Sequence, residues 1–321
     1  MASSMRLVSA EEVDNALDDR ALVEALREMF RGGCEVPLRH HHNIPNPGAA
    51  DGTLLLMPAW QVNGQSGQQI GIKLVTVFPD NGRVGLASIL GQYLLLDGRT
   101  GQPQALLDGV QLTLRRTACA SALAADYLAR QDASRLVMVG AGALAPYLIR
   151  AHRAVRPIRS VTIWNHNSDK ADALAAELKI DGVEIAASAN LEAAVGTADI
   201  VSCATLSPDP LVMGAWLPAG CHLDLVGAFR PDMRECDDGA VTRARIYVDT
   251  REGAIVEGGD IAIPLANGTI KDTDVQGDLF DLTRGLVQGR SKDQEADITL
   301  FKSVGTALED LAAAQLVMRN L

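Results

Sequence analysis

Gly140-Ala-Gly142-Ala-Leu-Ala145, set directly behind an apolar run at 136–139 and ahead of a helical stretch, constrains the fold of this chain more than any other feature. A glycine turn between a strand and a helix meets the structural requirement of a dinucleotide fingerprint. The first glycine permits the tight turn, the second lets the backbone approach a pyrophosphate, and a small third residue allows strand and helix to pack closely. The helix start that follows offers unpaired N–H groups to an anion. Downstream, strand-like segments at 135–139, 160–164, 183–187, 199–203, 221–226 and 245–248 alternate with helical ones that run to about 156 and restart at Asp169 and Leu191. Alternation at this spacing predicts an α/β architecture, a Rossmann-type doubly wound parallel sheet with helices on both faces. Gly140, Ala141, Gly142, Ala143 and Leu144 are its expected phosphate contacts.

The second strand of such a unit ordinarily ends in an acid that receives the ribose 2′-hydroxyl of NAD. Here it ends Trp164-Asn165-His166-Asn167-Ser168, with Lys170 close behind. Neutral hydrogen-bonding groups beside a cation suit a 2′-phosphate, so NADP(H) is the expected cofactor and NAD(H) the alternative. Asn165, His166, Asn167 and Lys170 are the candidate contacts. In the bland alternative, the two asparagines only shape a turn.

Upstream of residue 118 the pattern is different. Ser9 and Glu12 form a capping box, and Ala21, Leu22, Ala25, Leu26, Met29 and Phe30 make a helical stripe ending at Gly32 and Gly33. The first element is therefore expected to be a helix. From Pro37 to about Leu96, short β-type runs are separated by Gly, Asn and Pro. Residues 110–130 are Ala-rich without Gly or Pro and predict one long helix. The last stretch carries a second capping box, Thr306 with Glu309, and a helical stripe. It is expected to return to the first domain, giving 1–117 with 300–321 as one domain and 118–299 as the other.

Three cations in the first domain stand out. Lys73 lies inside the apolar run "IGIKLVTVF", Arg39 follows "VPL", and Arg116 sits on the Ala-rich helix. A buried, unpaired lysine is costly, so Lys73 faces a polar cavity, has an anionic partner, or points to water from an edge strand. Were Arg39 and Arg116 to converge on it, the three would make a carboxylate pocket.

A net charge of −11 argues against a nucleic-acid partner. No apolar run approaches the roughly 20 residues of a membrane span, and the start lacks a basic-then-apolar leader pattern, so a cytoplasmic chain is expected. Five dispersed cysteines without a Cys-x-x-Cys pair predict neither structural zinc nor a disulfide framework. His40, His41 and His42 are expected in a solvated loop, not at a metal.

"VPLRHHH", "LLLMPAW", "GIKLVTVFP", "LLDGVQLTLRRTACASALAADYLAR", "VGAGALA", "VGAFRPDMREC" and "TLFKSVGTALEDLAA", in this order over about residues 6–316, resemble the ornithine cyclodeaminase and mu-crystallin family. The resemblance implies a homodimer in which each subunit pairs a discontinuous α+β substrate-binding and dimerisation domain with a Rossmann domain, the site lying in the cleft between them. It implies that Arg39, Lys73 and Arg116 hold the substrate carboxylate, with Lys73 also catalytic, and that Met57 and Phe229 adjoin the substrate. Ser88, Thr117, Thr205, Val226, Ser303 and Gly305 match positions expected near the cofactor.

One departure is informative. Cyclodeaminase members carry an aspartate where this chain has Phe229, and a phenyl ring can neither accept a proton nor pair with an ammonium. Asp224, five residues upstream, reads as a hydrogen-bonding or packing group. The run Arg230-Pro231-Asp232-Met233-Arg234-Glu235 resembles the ketimine-reducing branch that includes mu-crystallin. The expected activity is therefore NAD(P)H-dependent reduction of a cyclic imino acid, Δ1-pyrroline-2-carboxylate or Δ1-piperideine-2-carboxylate, to proline or pipecolate. Ornithine cyclodeaminase, alanine or another imino-acid dehydrogenase, and a non-enzymatic small-ligand carrier are the alternatives.

Overall fold

The computed structural model describes residues 5–61 and 68–321. The chain begins with β1 (Arg6–Val8), then α1 (Ala10–Ala16) and α2 (Asp19–Gly32). The Ser9–Glu12 capping box is formed, and Asp18 caps α2 through the Ala21 amide. The first element is thus a short strand and not a helix, because β1 finds a parallel partner far along the chain. Four more strands follow: β2 (His40–Ile44), β3 (Gly52–Trp60), β4 (Gln69–Val77) and β5 (Ile89–Asp97). After β6 (Pro103–Asp108) comes the long helix α3 (Gly109–Leu128). The sheet order is β1-β6-β5-β4-β3-β2, antiparallel except for the β1–β6 pair.

His40, His41 and His42 lie in the edge strand β2 and not in a loop, with His41 opposite Leu55. They are exposed, and a polar strand there satisfies the outer hydrogen-bonding edge of β3.

Beyond α3 the chain alternates: β7 (Arg135–Val139), α4 (Ala145–Val155), β8 (Ser160–Trp164), α5 (Ser168–Glu177), β9 (Glu184–Ala187), α6 (Leu191–Val195), β10 (Ile200–Cys203) and β11 (His222–Leu225). It continues through α7 (Asp238–Arg243), β12 (Ala244–Val248), α8 (Arg251–Glu257), α9 (Gly259–Ala266), β13 (Val275–Asp278), α10 (Leu279–Arg284) and β14 (Ile298–Lys302), and closes with α11 (Ala307–Asn320). The strands from β7 to β14 form one parallel sheet in the order β13-β12-β14-β11-β10-β7-β8-β9. β7 stands between β8 and β10, the point at which strand order reverses, and such a switch is where open α/β sheets bind ligands. The sheet is buried on both faces, which explains its near-continuous Val, Ile and Leu runs.

The chain divides into two compact units: residues up to Thr117 with Thr306–Leu321, and Ala118–Gly305. A boundary at 300 would cut β14, which is hydrogen-bonded to both β11 and β12, so the return to the first unit starts at Thr306.

In the first unit α11 packs on α2, β3 and β4. The sheet face turned to it carries Met57, Ala59, Lys73, Tyr93, Leu95, Ala105 and Leu107, all buried. Gly71 is required there, since a Cβ would fall 1.7 Å from the Tyr93 hydroxyl. Gly71→Ala should therefore cost about 1–3 kcal/mol through overpacking, seen as a shifted denaturant midpoint; an unshifted midpoint would mean that Tyr93 relaxes freely.

Candidate active site

The middle of β4 places Lys73 on the helix-facing side of the sheet, with Met57 directly opposite on β3 and Tyr93 on β5. Lys73 is 2% exposed and its Nζ lies 2.7 Å from Asp310 Oδ2. Arg116, on α3, reaches the same carboxylate from the other side. Its Nε donates to Asp310 Oδ1 at 3.0 Å and its Nη1 to Glu309 Oε2 at 2.6 Å. One carboxylate on α11 thus bridges two buried cations, the anionic partner that is one of the three settings open to a lysine in this strand. Burial pulls Lys73 down to about 8, with Asp310 acting upward and the charges of Arg116 and Arg39 acting downward. Burial also opposes the Arg116 charge, but Asp310 and Glu309 outweigh it and hold the guanidinium above its ordinary value.

Arg39 is half-buried just ahead of β2, and its charge is felt at Lys73. Thr117 follows Arg116 on α3, half-buried. Ser88 is exposed just ahead of β5, where its hydroxyl donates to the Pro79 carbonyl at 3.4 Å.

Glu309 and Asp310, the acidic half of this cluster, are residues that sequence reasoning missed. The signal was present: two adjacent acids inside the Ala-rich, apolar stretch "ALEDLAAAQL", the same anomaly that marked Lys73. The expected Thr306–Glu309 capping box does not form. Thr306 makes no side-chain cap, and the Glu309 carboxylate is taken by Arg116.

In the second unit Gly140 adopts φ +109°, and a Cβ there would sit 2.6 Å from the Ala204 carbonyl oxygen. Gly142 opens onto free space, with no atom within 4 Å of where a Cβ would lie. No side chain caps α4. A tight turn, an approachable backbone and an uncapped helix start fit a pyrophosphate. At the end of β8 the Asn165 side chain accepts from the Ala141 amide at 3.2 Å and donates to the Asn167 carbonyl at 2.9 Å. Asn167 in turn caps α5 through the Asp169 amide at 3.0 Å. Both asparagines therefore shape the turn and brace the glycine loop, while His166, Ser168 and Lys170 stay exposed at the start of α5. Beside them a cavity of about 570 Å³ is walled by Trp164, Leu191, Pro210, Leu211 and Trp216.

On the other side of β7, Thr205 follows β10 and Val226 follows β11. Val226 is buried and Phe229, in the turn beyond, is 43% exposed. Asp224 is wholly buried, accepting from Ser202 Oγ at 2.6 Å and lying 3.2 Å from His152 Nε2. After β14, the amides of Val304 and Gly305 donate to Asp249 at 2.8 and 2.7 Å, and Ser303 is 3% exposed. Those amides are committed within the protein. Among the described residues no group of three His, Cys, Asp or Glu could hold a metal ion, and no helix is long and apolar enough to cross a membrane.

A parallel sheet with an open glycine cradle at its switch point, carried by a chain whose other unit buries a cation cluster, defines a nicotinamide-dependent protein of Rossmann type. Residues 1–321 match the ornithine cyclodeaminase/mu-crystallin family model, and the chain belongs to that family. It is 39% identical over 321 residues to the Δ1-pyrroline-2-carboxylate reductase of Paracoccus denitrificans, covering 99% of this chain and 98% of that one. Among solved structures it is similar to Thermococcus litoralis Δ1-pyrroline-2-carboxylate reductase in complex with NADH and L-proline, with a TM-score of 0.90, 32% identity and 98% and 97% of the two chains covered. It is also similar to an archaeal alanine dehydrogenase dimer with bound NAD, with a TM-score of 0.87, 29% identity and 98% and 95% covered.

Asp310→Asn would leave two buried cations facing a single remaining carboxylate. Equilibrium unfolding should then show a loss of about 3–5 kcal/mol; parent-like stability would mean that the bridge contributes nothing.

Proposed function

We propose that the chain is an NAD(P)H-dependent oxidoreductase that reduces a cyclic ketimine 2-carboxylate, Δ1-pyrroline-2-carboxylate or Δ1-piperideine-2-carboxylate, to L-proline or L-pipecolate. The observation that carries this reading is the buried Lys73–Asp310–Arg116 bridge. Two buried cations share the Asp310 carboxylate, and the charge of Arg39 reaches Lys73, so the cluster supplies the basic groups that a substrate carboxylate requires. The names of the relatives support the substrate class.

Lys73 as an ammonium neutralises the substrate carboxylate, and the arginines orient it, so that the plane of the C=N bond is fixed. The 140–145 loop would hold the reduced nicotinamide, which supplies a hydride when bound. An imine already protonated on nitrogen from solvent would take that hydride at C2 while the C=N π pair moves to nitrogen, giving the amine. No acid opposite the imine is needed, and Phe229 supplies none. A lyase acting on ornithine would need that acid, so the reductase is favoured. Preference for NADP(H) over NAD(H) is supported by the missing carboxylate at the end of β8 and by exposed His166 and Lys170.

A homodimer is supported by the outer face of the first sheet. Leu56, Pro58, Ile72, Leu94 and Leu106 are only half-buried there, and Leu74 is exposed, on the side turned away from α11. Leu74→Asp should shift the sedimentation coefficient toward a monomer; an unchanged value would place the contact elsewhere.

Consumption of reduced nicotinamide should be rapid with the cyclic imines, slow with pyruvate plus ammonia, and no ammonia should be released from ornithine. Ammonia release would overturn the reading. Lys73→Ala should abolish turnover with cofactor binding preserved. For the parent enzyme kcat/KM should fall as the pH rises through about 8, since Lys73 then loses its charge. In Lys73→Arg that falling limb should disappear; its persistence would assign it to another group.

A further inference from the structure

We infer that Glu235 is a positioning residue, a single buried carboxylate that clasps the loop after β10 to the turn after β11 and so sets the nicotinamide side of the cofactor site. Its Oε1 accepts from the Thr205 amide at 2.7 Å and from Thr205 Oγ1 at 2.8 Å. Its Oε2 accepts from the Gly227 amide at 2.7 Å and from the Ala228 amide at 3.3 Å. The carboxylate is wholly buried while Thr205 and Gly227 are half-buried, so removing this acceptor would leave partly shielded donors without their partner.

The joined loops touch. A Cβ on Gly227 would fall 2.0 Å from the Thr205 carbonyl oxygen, and one on Gly140 would fall 3.2 Å from Thr205 Cγ2 as well as against Ala204. Thr205 is therefore packed between the first glycine of the cradle and the turn that carries Phe229, and Glu235 holds it there. Glu235 is itself anchored, its amide donating at 2.7 Å to Asp260, whose carboxylate lies 3.2 Å from Lys302 at the end of β14. The loops following β10 and β11 and the end of β14 are thus tied through one connected set of buried charges, with Gly140 of the β7 loop packed against Thr205.

The strand order says which half of the cofactor this set serves. β8, whose end meets the adenosine ribose in a Rossmann unit, lies on one side of β7; β10 and β11 lie on the other. The clasp acts on the second side, so disturbing it should spare the adenosine half.

The experiment compares Glu235→Gln with the parent, measuring Kd for ADP-ribose, Kd for NADH and NADPH, and steady-state kinetics, with unfolding monitored in parallel. ADP-ribose should bind within twofold of the parent, while kcat/KM for the imine falls at least tenfold. Unchanged kinetics, or equal losses for ADP-ribose and the dinucleotides, would overturn the positioning role. Should Glu235→Gln fail to fold, Thr205→Val, which removes one donor, should reproduce the split, and Thr205→Ser, which keeps it, should restore it. Parent-like Thr205→Val would likewise count against the clasp. The inference rests on nicotinamide binding by this unit and not on which imine is reduced. Failure of that reading would show differently, as an absence of dinucleotide binding in the parent itself.

Discussion

Placing cations where water is excluded is the constraint around which the first unit is organised. Lys73 and Arg116 are buried because the apolar strand and the Ala-rich helix that carry them must pack. An isolated ammonium or guanidinium in that environment would cost several kcal/mol. Asp310 offsets this by meeting both at once, one oxygen each, and Glu309 takes Arg116 Nη1. The geometry demands that the chain's last helix return to the first unit. Without α11 the sheet would lack not only an apolar cover but also the charges that let its polar centre be buried. Discontinuity of this unit is thus an electrostatic necessity as much as a matter of packing.

The second unit solves a related problem at its strand ends. A parallel sheet delivers several loops to one edge, each with backbone N–H groups that need acceptors. Buried carboxylates supply them: Asp249 for Val304 and Gly305, Asp260 for Glu235 and Cys236, Glu235 for Thr205, Gly227 and Ala228. At the opposite edge Asp199 does the same for Ser134 and Arg135, and it is held well below the usual carboxylate range because arginine and amide donors outweigh its burial. The glycine cradle by contrast is left approachable, since Gly142 faces free space and α4 has no side-chain cap. The contrast between committed and uncommitted amides marks where an anion can be received.

Much of this was legible in the sequence, because the signals are local. Alternation of strand and helix, the glycine loop, the Ser9 capping box and the anomaly of Lys73 in an apolar run all depend on near neighbours. What escaped depends on distant ones. Arg116 and Asp310 are 194 positions apart, and nothing in either segment names the other. Glu309 suits the N3 position of a capping box, yet a buried guanidinium competes for it and wins, since a charge-assisted bond in the interior outweighs a helix-end contact. β1 and β2 were missed or misread for the same reason. A three-residue strand and a run of histidines carry little β signal, and both are strands only because β6 and β3 present unpaired edges to them. The end of the second unit was misplaced because β14 reads as part of the final motif, while its hydrogen bonds lie with β11 and β12.

Phe229 shows how a shared frame can be turned to one chemistry. A carboxylate grip and a hydride carrier are common requirements for a lyase that oxidises and re-reduces its substrate, for a dehydrogenase that builds its imine from a keto acid and an amine, and for a reductase of a preformed imine. They differ in what must be done at nitrogen. Releasing or adding ammonia calls for a group that moves protons to and from an amine, whereas a cyclic ketimine already holds its nitrogen in the ring. An exposed phenyl ring at this turn offers apolar contact and no proton, and the nearest upstream acid, Asp224, is buried against Ser202 and His152. On the function proposed here, the chain keeps buried cations suited to binding an acid and lacks, at this turn, the carboxylate that would process an ammonium. That combination suits a substrate whose carbon–nitrogen bond is made before it arrives.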